Sequence, residues 1–287
     1  MKGDPSVKIA YAIASVVMAM LLVTRVAAQN SDNGGDIANV EMCNGKDGTS
    51  LDTLIVACSA LIKTGADNPK VQAIAYNNRG NAYTTKGQYD LAIQDYGEAL
   101  KINTDYAKAF NNRGVAYQKK GDYDHALMDF AAAININPNY AGAFANRGET
   151  YEKKGDYPDA VKDFDRVIDL QPSLTAVWNE RCWAHALSGE LQAAISDCNE
   201  AIRLAPSDAA AFDSRGLTYL KLGQWDLAIA DYNSALRIDA KLPSSLYGRG
   251  YARRKAGDKA GSDADIAAAK AGEQNIEAEF GGYGLHL

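Results

Sequence analysis

The sequence predicts an all-α protein, a solenoid of stacked helical hairpins, and three observations point there. A phrase recurs: "YNNRGNAYTTKGQYDLAIQDY" at 76–96 returns as "FNNRGVAYQKKGDYDHALMDF" at 110–130, 34 residues further on. The apolar share is rich in alanine and tyrosine rather than valine and isoleucine, a balance that favours helix over sheet. Glycine punctuates the chain at a fixed interval, where a helix would stop and turn.

Residues 1–28 are a different kind of text. Lys2 and Lys8 flank a short polar start, Ile9–Val23 is a 15-residue apolar run, and Val26 and Ala28 supply the small residues of a cleavage site. The stretch reads as a secretory signal peptide cut before Gln29. An uncleaved anchor facing the periplasm is the alternative. As a helix the run spans roughly 22 Å, short of a hydrocarbon core of about 30 Å, and Arg25 ends it. Residues 29–49 read as a linker carrying Cys43, and 50–68 as an N-terminal capping helix, the second half of a hairpin with Cys58 where an aromatic would stand. No second apolar run of spanning length follows, so no membrane span is expected after cleavage.

Six repeats fill residues 69–272, in 34-residue units that start at Ala73, Ala107, Ala141, Thr175, Ala209 and Pro243. The eighth position is Gly80, Gly114, Gly148, Cys182, Gly216 and Gly250, and the twenty-fourth is Tyr96, Phe130, Phe164, Cys198, Tyr232 and Ile266. Each repeat reads as two antiparallel helices turned by a glycine, with Pro158 in an opening turn where its missing N–H costs little. Small residues let the axes approach, aromatics fill the gaps between pairs, and no pair buries its apolar face alone, so pairs must stack. Residues 273–287 read as a C-terminal cap, offering Ile276, Phe280, Tyr283 and Leu285 to the last repeat.

Two charged positions never vary. Position seven is Arg79, Arg113, Arg147, Arg181, Arg215 and Arg249; position 23 is Asp95, Asp129, Asp163, Asp197, Asp231 and Asp265. Stacking imposes the same demand on every repeat while a ligand does not, so these read as one structural ion pair per repeat, with a charged array for ligand capture as the alternative. Cys43 and Cys58 stand 15 apart, Cys182 and Cys198 16 apart. In an oxidising compartment those spacings favour disulfides 43–58 and 182–198, and for the second pair two buried free thiols are the alternative. No zinc-type cysteine spacing occurs. His125, His185 and His286 are scattered, no catalytic, metal or cofactor site is expected, and the reading is not an enzyme. A net charge of −6 without a basic run sets nucleic acid aside as a partner.

These residues resemble the tetratricopeptide repeat from Ala73 to about Ile276. The resemblance implies a right-handed α-solenoid with capping helices, and a concave groove lined by positions two, five, six, nine, twelve and thirteen of the first helices. That groove would bind another protein or an extended peptide. Asn78, Asn112 and Asn146 resemble an asparagine ladder that holds a peptide backbone, and Asn81 would line the same groove. Trp183, Leu217, Leu220 and Tyr251 would form an apolar anchor zone, unless the segment around Phe280 and Tyr283 folds back over them. A signal peptide, an early cysteine pair, six repeats and a short cap are similar to exported proteins of this family in Gram-negative bacteria. That implies a periplasmic or secreted protein-binding scaffold. A self-assembling envelope protein and an accessory subunit of an enzyme complex are the alternatives.

Overall fold

The computed structural model describes residues 34–46, 48–64 and 68–287, with side chains from residue 39 onward. The expected signal peptide lies outside them. Among the described residues there are fifteen helices and no strand. They fall into two compact bodies that divide between Asp122 and Tyr123; the second repeat is divided between them.

The N-terminal body holds α1 (Gly34–Cys43), α2 (Leu51–Thr64), α3 (Pro69–Thr85), α4 (Tyr89–Ile102) and α5 (Ala107–Lys120). Part of the expected linker is therefore a helix. The glycine-bearing α1 shows little apolar period, and the Cys43–Cys58 disulfide ties it to α2 while Val40 and Met42 pack beside it. Cys43, Ala57, Cys58, Leu61 and Ala75 form a small core. The helix α3 starts four residues ahead of Ala73, at Pro69, where Asn68 accepts a hydrogen bond from Val71 N–H. Its mate α4 is buried through Ala92, Tyr96, Ala99 and Leu100.

The C-terminal body holds α6 (Tyr123–Ile136), α7 (Ala141–Lys154), α8 (Tyr157–Leu170), α9 (Thr175–Ser188), α10 (Leu191–Leu204), α11 (Ala209–Lys221), α12 (Trp225–Ile238), α13 (Pro243–Lys255), α14 (Lys259–Gly272) and α15 (Ile276–Gly282). Repeat three shows how a hairpin is made. At the end of α7, Gly155 takes φ 78°, a left-handed value that frees its N–H to cap Tyr151 and Glu152 carbonyls. Asp156 then caps α8, whose opening turn contains Pro158. One core cluster gathers Phe144, Phe164, Val167 and Val177. Another gathers Leu217, Leu220, Tyr232, Tyr247, Tyr251, Ile276 and Phe280.

Positions eight and 24 meet inside the hairpins of repeats one, three, five and six, which explains both the glycines and the exception in repeat four. A Cβ placed on Gly216 would lie 2.9 Å from the Tyr232 ring, and one on Gly148 would lie 2.6 Å from Phe164. Repeat four has cysteine at both places, and Cys182 and Cys198 form a fully buried disulfide there. The cystine replaces a glycine–aromatic contact at the same joint.

Candidate functional site

A ligand-binding face on the first helices needs those helices held firmly, and the invariant charges do this. The Arg79 guanidinium donates to Asp95 through Nε and Nη2, both at 2.7 Å. The same two-pronged pair joins Arg147 to Asp163, Arg181 to Asp197, Arg215 to Asp231 and Arg249 to Asp265. Arg113 and Asp129 also have partners. The carboxylates are buried, and burial pushes the Asp163 carboxyl up while its bonds to Arg147 pull it down. Such a planar fork suits arginine and no other side chain.

A further arm went unread in the sequence. The remaining Nη1 of Arg181, Arg215 and Arg249 reaches back 16 residues to Asp165, Asn199 and Asn233, at 2.6, 2.6 and 2.8 Å. Arg79 makes the equivalent bond to Ser59 at 2.8 Å. Each of these arginines thus ties three helices: its own, its mate, and the second helix of the hairpin before.

In the N-terminal body the first-helix face is a continuous carboxamide network. Asn78 Nδ2 donates to the Cys43 carbonyl and to Asn44 Oδ1, while Asn78 Oδ1 accepts from Asn77. Asn112 Nδ2 donates to Asn77 and to Asn81, each at 3.0 Å, and its Oδ1 accepts from Asn111. Asn81 Oδ1 also accepts from the Tyr96 hydroxyl at 2.7 Å. Both amide hydrogens of Asn78 and of Asn112 are therefore engaged inside the protein, and what each still offers is a lone pair on Oδ1. Asn146, in the C-terminal body, also has a partner.

The apolar residues of repeats four to six are enclosed. Leu217 and Leu220 are each 1% exposed and Tyr251 5%, because residues 276–287 fold over them. Phe280 packs on Tyr247 with ring centres 4.7 Å apart, and Tyr283 meets Trp183 edge-on at 5.3 Å. Lys221 Nζ donates to the Tyr283 carbonyl at 3.0 Å. Of the two arrangements open in the sequence, exposed anchor or folded-back cover, the structure has the cover.

Below that cover lies a polar feature that the repeat pattern did not flag. Asp213 accepts from the Ser245 hydroxyl; burial raises its carboxyl to about 6 against the bonds from Ser245 and Ser244, with Glu279 adding to the rise. The Tyr232 hydroxyl is buried with no hydrogen-bond partner. His185 is buried, with Nε2 3.7 Å from Asp197.

Hairpins of 34 residues, five of them braced by an arginine fork and packed on small-residue joints, define a helical-repeat protein. The chain belongs to the tetratricopeptide repeat family. Models described as TPR repeat match residues 80–121 and 216–257, and models described as tetratricopeptide repeat match 107–140 and 145–209. No curated protein matches the chain. Among solved structures, a tetratricopeptide repeat protein from Parabacteroides merdae is similar over 88% of this chain and 99% of its own, at TM-score 0.68 and 20% identity. YrrB, a TPR protein with an unusual peptide-binding site, is similar over 67% and 97% at TM-score 0.58 and 22% identity. Pseudomonas aeruginosa PilF is similar over 75% and 99% at TM-score 0.59 and 17% identity. At these identities the likeness shows the fold alone.

Proposed function

We propose that the chain is a non-enzymatic scaffold of the cell envelope that holds another protein, or an extended peptide, in a groove formed by its first helices. One observation carries the reading: a division of labour within the repeat. Positions seven and 23 are identical in all six copies, and their side chains serve as braces. Position nine, by contrast, runs Asn81, Val115, Glu149, Trp183, Leu217 and Tyr251. Trp183, Leu217 and Tyr251 meet the chain's own C-terminal segment, so the support comes from the first three repeats, where Asn81, Val115 and Glu149 differ although stacking makes the same demand on each.

The family is one of protein-interaction scaffolds, and the peptide-binding site of YrrB lends support. Two disulfides suit an oxidising compartment, and together with the expected signal peptide they support a periplasmic or secreted location. No helix among the described residues is long and apolar enough to cross a membrane. The asparagine ladder takes a specific form in this reading. With their amide hydrogens engaged, Asn78 and Asn112 would accept peptide N–H groups and donate nothing. The test is affinity capture from an envelope extract by residues 29–287, with identification of the retained proteins. The variant Asn78→Ala/Asn112→Ala/Asn146→Ala should lose a partner that the wild type keeps. Equal retention by a folded variant removes the ladder, and no specific retention by the wild type removes the scaffold.

A further inference from the structure

Tyrosine fills position 11 in four repeats, as Tyr83, Tyr117, Tyr151 and Tyr219, but repeat four has His185 there and repeat six has Arg253. These are also the two repeats with no aromatic side chain at position 24, where Cys198 and Ile266 stand. Both carry an acid at position 16, in the turn: Glu190 and Asp258. In repeat six the result is a second ionic brace. Arg253 donates to Asp265 at 2.7 Å and lies 3.8 Å from Asp258, so it joins the turn to the carboxylate that Arg249 already holds.

His185 occupies the same ground. Its Nδ1 lies 3.2 Å from Glu190 Oε2, and its Nε2 lies 3.7 Å from Asp197 Oδ2. A neutral imidazole has one N–H and one lone pair, so either tautomer turns a lone pair toward a carboxylate. Only the doubly protonated ring answers both acids. Nδ1 is buried and has no hydrogen bond, so solvent does not relieve the mismatch there. His185 also sits in the last turn of α9, where a helix end favours a cation.

The charges on neighbouring elements leave this geometry in force. Among the described residues no other acid lies within ion-pairing distance of the ring. Arg181, one turn back on α9, is bound to Asp197 and to Asp165 of α8. It opposes a second cation at Asp197, as Arg249 does at Asp265 without excluding Arg253. Arg147 of α7 and Arg215 of α11 are held by Asp163 and Asp231.

We propose that His185 is a pH-operated counterpart of Arg253: once protonated, it clasps the Glu190 turn and Asp197 to the end of α9, and makes hairpin four firmer in acid. The inference is independent of what the first-helix face binds. By linkage, the clasp contributes fully below about 6.5, the ordinary value for histidine, and is lost as pH rises.

Urea denaturation of the purified protein at pH 5 and pH 8 tests it. Measured against His185→Tyr, the residue of the sister repeats, the wild-type unfolding constant should fall at least fivefold from pH 8 to pH 5. His125, His286 and Asp213 are present in both chains and cancel in that ratio. His185→Arg carries a permanent charge and should lose the same slope, which keeps the test open if the tyrosine variant does not fold. Hydrogen exchange on the wild type has its control within the molecule. Glu190 N–H donates to the His185 carbonyl as Asp258 N–H does to the Arg253 carbonyl, both at 2.9 Å. From pH 8 to pH 5, the protection of the Glu190 amide should rise at least fivefold relative to that of Asp258. Parallel denaturation behaviour of wild type and His185→Tyr would overturn the proposal. So would a His185→Arg variant that keeps the wild-type slope, or equal changes in protection at the two turns.

Discussion

Tyr96 and Tyr232 occupy the same place in repeats one and five, and both are buried against a glycine of the facing helix. Their hydroxyls meet opposite fates. Tyr96 donates to Asn81 at 2.7 Å and lies 3.1 Å from Thr84, within the network that includes Asn112. Tyr232 finds Leu217, Leu220 and Gly248 at the corresponding places and has no partner. Three substitutions turn a polar, self-satisfied face into an apolar one that needs a cover. The backbone frame is indifferent to the change, because the arginine fork and the glycine–ring contact are the same in both repeats.

If the frame is common to both regions, breaking it should hurt both alike. Arg79→Ala and Arg215→Ala each strand a buried carboxylate and should cost about 3–5 kcal/mol of stability in urea denaturation. A brace that mattered in only one region would leave the other variant near wild type. Next in size is the cystine that replaces the glycine–aromatic joint. Changing Cys182 and Cys198 to serine should cost about 3 kcal/mol by freeing a loop of 16 residues in the unfolded chain. A negligible loss would mean that repeat four packs well without it.

A pH dependence should separate the two faces further. Asp213 sits at about 6 in the fold, above its ordinary 3.8, so the folded state holds the proton more tightly than the unfolded chain. Its contribution is therefore greatest below about pH 4 and is lost as pH rises through about 6. Ser244, Ser245, Tyr232 and Glu279 surround it. Thermal melts from pH 4 to 7.5 should show Asp213→Asn gaining on the wild type as pH rises, by a few degrees at the upper end. Parallel curves would mean that the carboxyl titrates normally.

Much of this was legible before any coordinates, for a physical reason. Whatever stacking requires must recur every 34 residues, so Arg79, Asp95, Gly80 and their counterparts announced the hairpins and their braces. Cys182 and Cys198 were readable as a pair because they stand 16 apart and replace the small residue and the aromatic of one repeat. What repeats irregularly was harder to see. The third arm of the arginines was hidden because its acceptors vary, as Asp165, Asn199 and Asn233, while Gly97 and Ala131 hold the same place elsewhere. The helix α1 carries little apolar rhythm and is tied to α2 by a disulfide. Asn78 and Asn112 were recognised as a polar row, but which of their hydrogens are engaged depends on residues 31 to 35 positions away. Whether Leu217, Leu220 and Tyr251 form an open anchor or a covered one could not be read, because nothing in a repeat tells where a short C-terminal segment will lie.

The smallest effect is the most discriminating. Tyr96→Phe removes a hydroxyl that is hydrogen-bonded, and Tyr232→Phe removes one that is not. The account predicts opposite signs in chemical denaturation: a loss of about 1 kcal/mol for the first, and no loss or a gain of about 1 kcal/mol for the second. Equal losses in both variants would contradict it, since they would mean that the two faces satisfy their tyrosines in the same way.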